Sequence, residues 1–280
     1  MTVLGPQAGP GVVAVAQGSA PRPRPGEGPG AEVLETDGVV VSYGGVKAVD
    51  GVSVQVHRGE AVGLIGPNGA GKSSFLAALG GQQRAAGGRI TLDGLDVTRL
   101  PPYRRARLGI VRTFQMTSEF AGMTTFENLL TAGMGTQGSA LTQVVLHPRS
   151  TRCRQEAVEA KAWEVLERFD AMHIANTYGR ELSGGQRRLV EIMRCLMRSP
   201  RVLLLDEPMV GVAPHLVDRL VSDLQSLRDE GIALVIVEHA LEVVRQLCDS
   251  VNVMALGKLI ASGTYEEVVG DPAVQAAYLG

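Results

Sequence analysis

The chain has 280 residues, 45% hydrophobic and 20% charged, with 27 Lys and Arg against 29 Asp and Glu for a formal net charge of −2. That length supports a sizeable core in one large domain or two small ones, and the near-neutral total, within which a local basic patch can still lie, argues against a phosphate-backbone ligand, so no nucleic-acid partner is expected. Cys153, Cys195 and Cys248 are odd in number and widely spaced without a C-x-x-C pair, which suits a reduced compartment and excludes a disulfide framework or zinc site.

No apolar run approaches the roughly 18 to 20 residues of a membrane span. Near the start, Gly11-Val12-Val13-Ala14-Val15-Ala16 is short and has no basic segment before it, unlike a targeting sequence. Pro21-Arg22-Pro23-Arg24-Pro25-Gly26 can form neither helix nor strand ladder, so residues 1–31 are expected to be a disordered Gly/Pro/Ala-rich tail. Strands are expected at Val39–Tyr43 and Val52–His57, where β-branched residues dominate, with Gly44-Gly45 as the turn after the first. The apolar run Ala61–Ile65 reads as a buried strand and Phe75–Leu79 as part of a helix. Arg89–Leu92 and Ile110–Phe114 read as further strands, the first closed by the turn signal Asp93-Gly94.

The middle of the chain is helical. Val158, Ala162, Val165, Leu166 and Phe169 share one helix face, and Leu189, Ile192, Met193, Leu196 and Met197 repeat the pattern on a second helix ending before Pro200. Strand character returns at Val202–Leu205 and Ile232–Val237, separated by an amphipathic helix through Leu216, Leu220, Val221, Leu224 and Leu227. Continuous apolar strands alternating with helices predict an α/β fold whose largely parallel sheet is covered on both faces. In such a sheet the ligand sits at the carboxyl ends of the strands.

Those ends carry the chemistry. Between the strand at 61–65 and the next helix lies Gly66-Pro67-Asn68-Gly69-Ala70-Gly71-Lys72-Ser73, the G-x-x-x-x-G-K-[ST] spacing of a phosphate-binding loop, followed by Ser74. Glycines let backbone amides approach phosphates, and the helix points its positive end at them. Lys72 is placed to reach the β- and γ-phosphates, and the Ser73 hydroxyl to ligate Mg²⁺. Asp206 and Glu207 end the most hydrophobic strand, where a metal or a proton-accepting role would use two carboxylates. Ser183-Gly184-Gly185-Gln186 follows Leu182 at a helix N-terminus, which offers amides and a hydroxyl to an anion, and Ser183 also suits an N-cap.

The phosphate-binding loop, Leu182-Ser183-Gly184-Gly185-Gln186, and an apolar run ending in Asp206-Glu207-Pro208, in this order, resemble the ATP-binding cassette (ABC) ATPases over 32–280. The resemblance implies a P-loop NTPase with a RecA-like core, an antiparallel β subdomain and a helical subdomain at about 116–200. It implies that Tyr43 stacks on adenine, that Gln115 senses Mg²⁺ and the γ-phosphate, that Asp206 lies near Mg²⁺, that Glu207 polarises the attacking water, and that His239 contacts the γ-phosphate. It further implies a head-to-tail dimer, homo- or heteromeric, with each ATP between the P-loop of one subunit and Ser183–Gln186 of the other. One departure is Ala213, where the family often has Asp, which puts the coupling of the two sites in doubt.

Val111–Gln115, the pairing of Gln186–Leu189 with Glu191-Ile192, and the end Asp271–Gly280 are similar to ATPase subunits of branched-chain amino acid importers. The context of Gln115 is nearer the LivG-type subunit, and Gly211–Pro214 nearer the LivF-type. An importer ATPase implies membrane permease subunits, an extracytoplasmic solute-binding protein acting indirectly, and a peripheral position on the cytoplasmic face of the membrane. A urea or amide importer, or a soluble assembly factor, is the alternative. Met116, Phe120, Met123 and Phe126 are expected either to form a groove for a permease helix or to pack the helical subdomain.

Overall fold

The computed structural model describes residues 32–113, 118–134 and 148–279. The tail expected over 1–31, as well as Phe114, Gln115 and Met116, lies outside them.

Two sheets form the frame. In the first, β1 (Glu32–Tyr43) pairs antiparallel with β2 (Val46–Val52) and β3 (Gln55–His57) along one edge and with β5 (Gly87–Leu92) along the other, and β6 (Leu95–Asp96) closes a hairpin on β5. The second sheet has the order β11 (Lys258–Gly263), β10 (Ser250–Ala255), β4 (Ala61–Ile65), β9 (Ala233–Val237), β8 (Val202–Asp206), β7 (Ile110–Arg112). All its pairings are parallel except β10 with β11, at the edge.

The expected single strand Val52–His57 is broken at Ser53-Val54. There the buried Thr36 hydroxyl accepts from the Val54 amide at 2.7 Å, while the Thr36 amide donates to the Val54 carbonyl at 2.8 Å. A side chain thus takes the place of a ladder partner and the strand kinks. The Asp93-Gly94 turn takes positive φ at both residues, 46° and 75°, which matches the twist of a two-residue hairpin.

Period-two alternation explains why the parallel strands read as unbroken apolar runs. Leu203, Leu205, Leu234 and Ile236 face one core with the helices Gly184–Leu196 and Pro214–Asp229. Val202, Leu204, Val235 and Val237 face the other, with Phe75, Leu76 and Leu79 of the helix Lys72–Gly80 and the inner face of the antiparallel sheet. Burial on both faces leaves no polar side to the strand. Between β7 and β8 the described chain is helical, with helices at Ser118–Ala121, Thr125–Met134, Pro148–Arg168 and Gly184–Leu196.

Phe126 stacks on Trp163 with ring centroids 4.2 Å apart, and Phe120 lies beneath the Arg194 guanidinium at 3.7 Å. Phe126 thus packs the helical layer, as the second of the two expectations has it, and Phe120 carries a cation on its ring face.

Candidate active site

Parallel pairing brings the carboxyl ends of β4, β9, β8 and β7 to one edge of the sheet. Asp206 lies opposite Val237, Leu64 is likewise opposite Val237, and Arg112 lies opposite Leu204. The loop after β4, the acidic pair after β8 and the His239 loop after β9 are therefore neighbours.

Two glycines press the first loop onto the fold. Gly66 has φ 141° and a Cβ there would overlap the Met254 carbonyl oxygen, while Gly71 has φ 99° and a Cβ would overlap that of Ala48. Only glycine tolerates both the angle and the approach. Gly69, at φ 79°, faces open space, and Asn68, Gly69 and Ser73 are exposed around it. The loop is thus braced on its inner side by Gly66, Gly71 and the buried Ala70. Pro67 and Ser74 are half-buried, and the outer side is open at the start of the Lys72–Gly80 helix. Open glycine backbone at a helix start is an arrangement that suits phosphate.

Lys72 is 6% exposed, and its ammonium donates to the carbonyls of Gly66 at 2.6 Å and Pro67 at 3.0 Å. Burial lowers its pKa, and the charges of Glu207 and Asp206 oppose that shift. The Ser73 hydroxyl donates to Asp206 Oδ1 at 3.3 Å, so the two side chains expected to hold Mg²⁺ converge. A hydroxyl and a carboxylate oxygen are hard donors of the kind Mg²⁺ takes. Among the described residues no cluster of three His, Cys, Asp or Glu could hold a metal by itself.

The other Asp206 oxygen accepts from Arg112 Nη2 at 2.7 Å. The motifs gave no sign of this partner, which the pairing of β7 with β8 brings beside Asp206. Glu207 leaves the sheet at φ 48°, its amide donating to the Val237 carbonyl at 2.9 Å. His239 Nε2 lies 3.1 Å from Glu207 Oε1, and the pair is only partly buried, 41% and 38% exposed. Tyr43 is exposed at the end of β1. Gln115 lies outside the described residues.

Ser183 caps the helix Gly184–Leu196. Its hydroxyl accepts from the Gln186 amide at 3.3 Å, and the Gln186 side chain accepts from the Ser183 amide at 2.9 Å, a reciprocal capping box. A Cβ at Gly184 would come within 2.6 Å of the Gly211 carbonyl oxygen, whereas one at Gly185 would make ordinary contact at 3.5 Å. The first glycine is thus demanded by packing within this chain, and the second is not.

The pattern of the ABC transporter family matches residues 49–210. The chain belongs to the ABC transporter ATPases. These proteins bind and hydrolyse ATP as subunits of transporter complexes, partnered by membrane permeases and by a second ATPase. A pattern described as branched-chain amino acid ATP-binding cassette transporter matches residues 258–280. The probable branched-chain amino acid transport ATP-binding protein LivG of Archaeoglobus fulgidus is 36% identical over 251 residues, 89% of this chain and 96% of that one. The high-affinity branched-chain amino acid transport ATP-binding protein BraF of Pseudomonas aeruginosa is 38% identical over 251 residues, 89% and 98% of the two chains. The crystal structure of a nucleotide-free ATP-binding cassette from an ABC transporter superposes with a TM-score of 0.80 at 37% identity, covering 89% of this chain and 100% of that one. Among the described residues no helix of this ABC ATPase is long and apolar enough to cross a membrane.

Proposed function

We propose that this ATPase drives an importer of branched-chain or other hydrophobic amino acids through separate permease subunits on the cytoplasmic face of the membrane. The support for the cargo is the naming of the relatives together with the C-terminal segment from Lys258 to Gly280. An extracytoplasmic solute-binding protein would deliver the cargo to the permease, not to this subunit.

The observation that carries the catalytic reading is the 3.1 Å contact of Glu207 with His239. Gly66 to Ser74 cradle the triphosphate of ATP, whose adenine stacks on Tyr43. Lys72 exchanges its two loop carbonyls for phosphate oxygens, a trade of neutral acceptors for charged ones. Ser73, Asp206 and Gln115 would hold Mg²⁺, which would supply positive charge against the charge that develops on the phosphates. Glu207 orients a water and takes its proton, and His239 steadies Glu207 and the γ-phosphate side of the site. Ser183 to Gln186 of a second subunit close the site from the opposite side. ATP then holds the dimer together, and hydrolysis removes the γ-phosphate contact that favoured closure.

The test is a Glu207→Gln variant purified with ATP from detergent-solubilised membranes. Expected are hydrolysis slowed by about 10²-fold or more, retained ATP, and copurifying permease subunits. Parental hydrolysis would remove Glu207 from its role. A variant that holds ATP but stays wholly soluble in membranes containing its partners would overturn the transporter reading in favour of an assembly factor.

A further inference from the structure

Glu238 directly follows β9, one residue before His239, and it is 2% exposed. Its carboxylate accepts three backbone N–H bonds from two different loops. Oε1 takes the Met209 amide at 2.9 Å, in the turn after Glu207. Oε2 takes the amides of His239 at 2.9 Å and Ala240 at 3.3 Å. A carboxylate is purely an acceptor, so three main-chain donors suit it, and such bonds are the strong class.

Side-chain length separates two possible purposes. A carboxylate needed only to cap the loop ahead of the helix Leu241–Leu247 could be an aspartate, since its targets are the next two amides. The extra methylene of Glu238 is what reaches Met209, 29 positions away in sequence. Met209 is itself anchored, 8% exposed against the core that holds Leu205 and Ile236. The two loops Glu238 joins are those that carry Glu207 and His239.

We propose that Glu238 is a positioning residue that ties the Met209 turn to the His239 loop and thereby holds Glu207 and His239 in register. This rests on the roles proposed above for Glu207 and His239. Binding of ATP at Gly66–Ser74 does not involve the tie, so the effect falls on turnover.

The test uses Glu238→Asp and Glu238→Gln in the purified full chain. The shorter acid keeps the local amide bonds and loses Met209, while the amide keeps the length and sets an NH₂ against a backbone N–H. Each is expected to lower kcat by about 10- to 100-fold with the ATP dissociation constant within about twofold of the parent. In the His239→Ala background, Glu238→Asp should cost less than about twofold more, because the two residues act through one contact. Parental kcat in Glu238→Asp overturns the proposal, as does a loss that multiplies fully with that of His239→Ala or one matched by weakened ATP binding. If Glu238→Asp does not fold, Glu238→Gln carries the same measurements. Should Glu207→Gln and His239→Ala themselves keep parental rates, the catalytic reading fails. Should they lose activity while the Glu238 variants do not, the tie alone fails.

Discussion

At the scale of single residues, the glycines of the P-loop differ in what they are for. Gly66→Ala and Gly71→Ala each combine a left-handed backbone angle with a clash against a main-chain carbonyl, and a loss of about 3 kcal/mol or more is expected for each. Gly69→Ala meets open space, so only the backbone strain remains, about 1 to 2 kcal/mol. Denaturant unfolding without nucleotide measures the difference. The cysteines also separate by environment. Burial pushes the thiols of Cys195 and Cys248 up to about 12, while Cys153 is exposed on a helix. A thiol-selective alkylating reagent at pH 8 should modify one cysteine per native chain and three in denaturant, since only the thiolate reacts; mass spectrometry of the labelled chain gives the count.

Among the elements, the helix Pro214–Asp229 carries a titration that folding disfavours. Burial raises the pKa of Asp223 above its ordinary 3.8, against the opposing charges of Arg219 and Arg168. The native state therefore holds the proton more tightly than the unfolded chain, and stability falls as pH rises from about 4 through the raised native value. Below that window both states are protonated and the penalty vanishes. Asp223→Asn is expected to stabilise the chain at pH 7 and not at pH 3, read from unfolding midpoints at the two pH values. Another element-level fact lay outside the motifs. Arg105, on the helix Pro102–Leu108, is 1% exposed and donates to the carbonyls of Ala78, Leu79, Thr98 and Leu100. Burial lowers its pKa to about 10. It closes the end of the helix that begins at Lys72, where free carbonyls otherwise need partners.

On the scale of the whole molecule, the two glycine motifs answer to different surroundings. Gly66 and Gly71 pack on Met254 and Ala48, and Gly184 packs on Gly211. Gly185 is free of such a constraint within the chain, which leaves it open to the role proposed above for Ser183–Gln186 at a second subunit. Gly185→Glu is expected to leave the melting temperature within a few degrees of the parent while abolishing ATP-dependent dimerisation in a Glu207→Gln background. Size-exclusion chromatography with and without ATP checks this. A dimer that persists would place Ser183–Gln186 outside the subunit interface. Gly184→Ala, by contrast, should disturb the single chain itself.

What could be read from the sequence was whatever depends on spacing along the chain. The P-loop, the apolar run into Asp206 and Glu207, the helix cap at Ser183 and the alternation that buries β4, β8 and β9 on both faces are all local patterns. The break at Ser53-Val54 was not legible, because its cause is the Thr36 hydroxyl, remote in sequence. Nor were the Arg112–Asp206 pair and the bond from the Met209 amide to Glu238, which exist only because β7, β8 and β9 lie side by side in parallel. Sequence by itself determined that this chain carries a phosphate-loop pattern and at which strand ends the candidate site residues fall, because such a loop and a buried strand are built from contiguous residues. Tertiary structure alone decided which charges face one another across that site, because ion pairs and hydrogen bonds are set by distance in space, and parallel strands join residues that the chain keeps far apart.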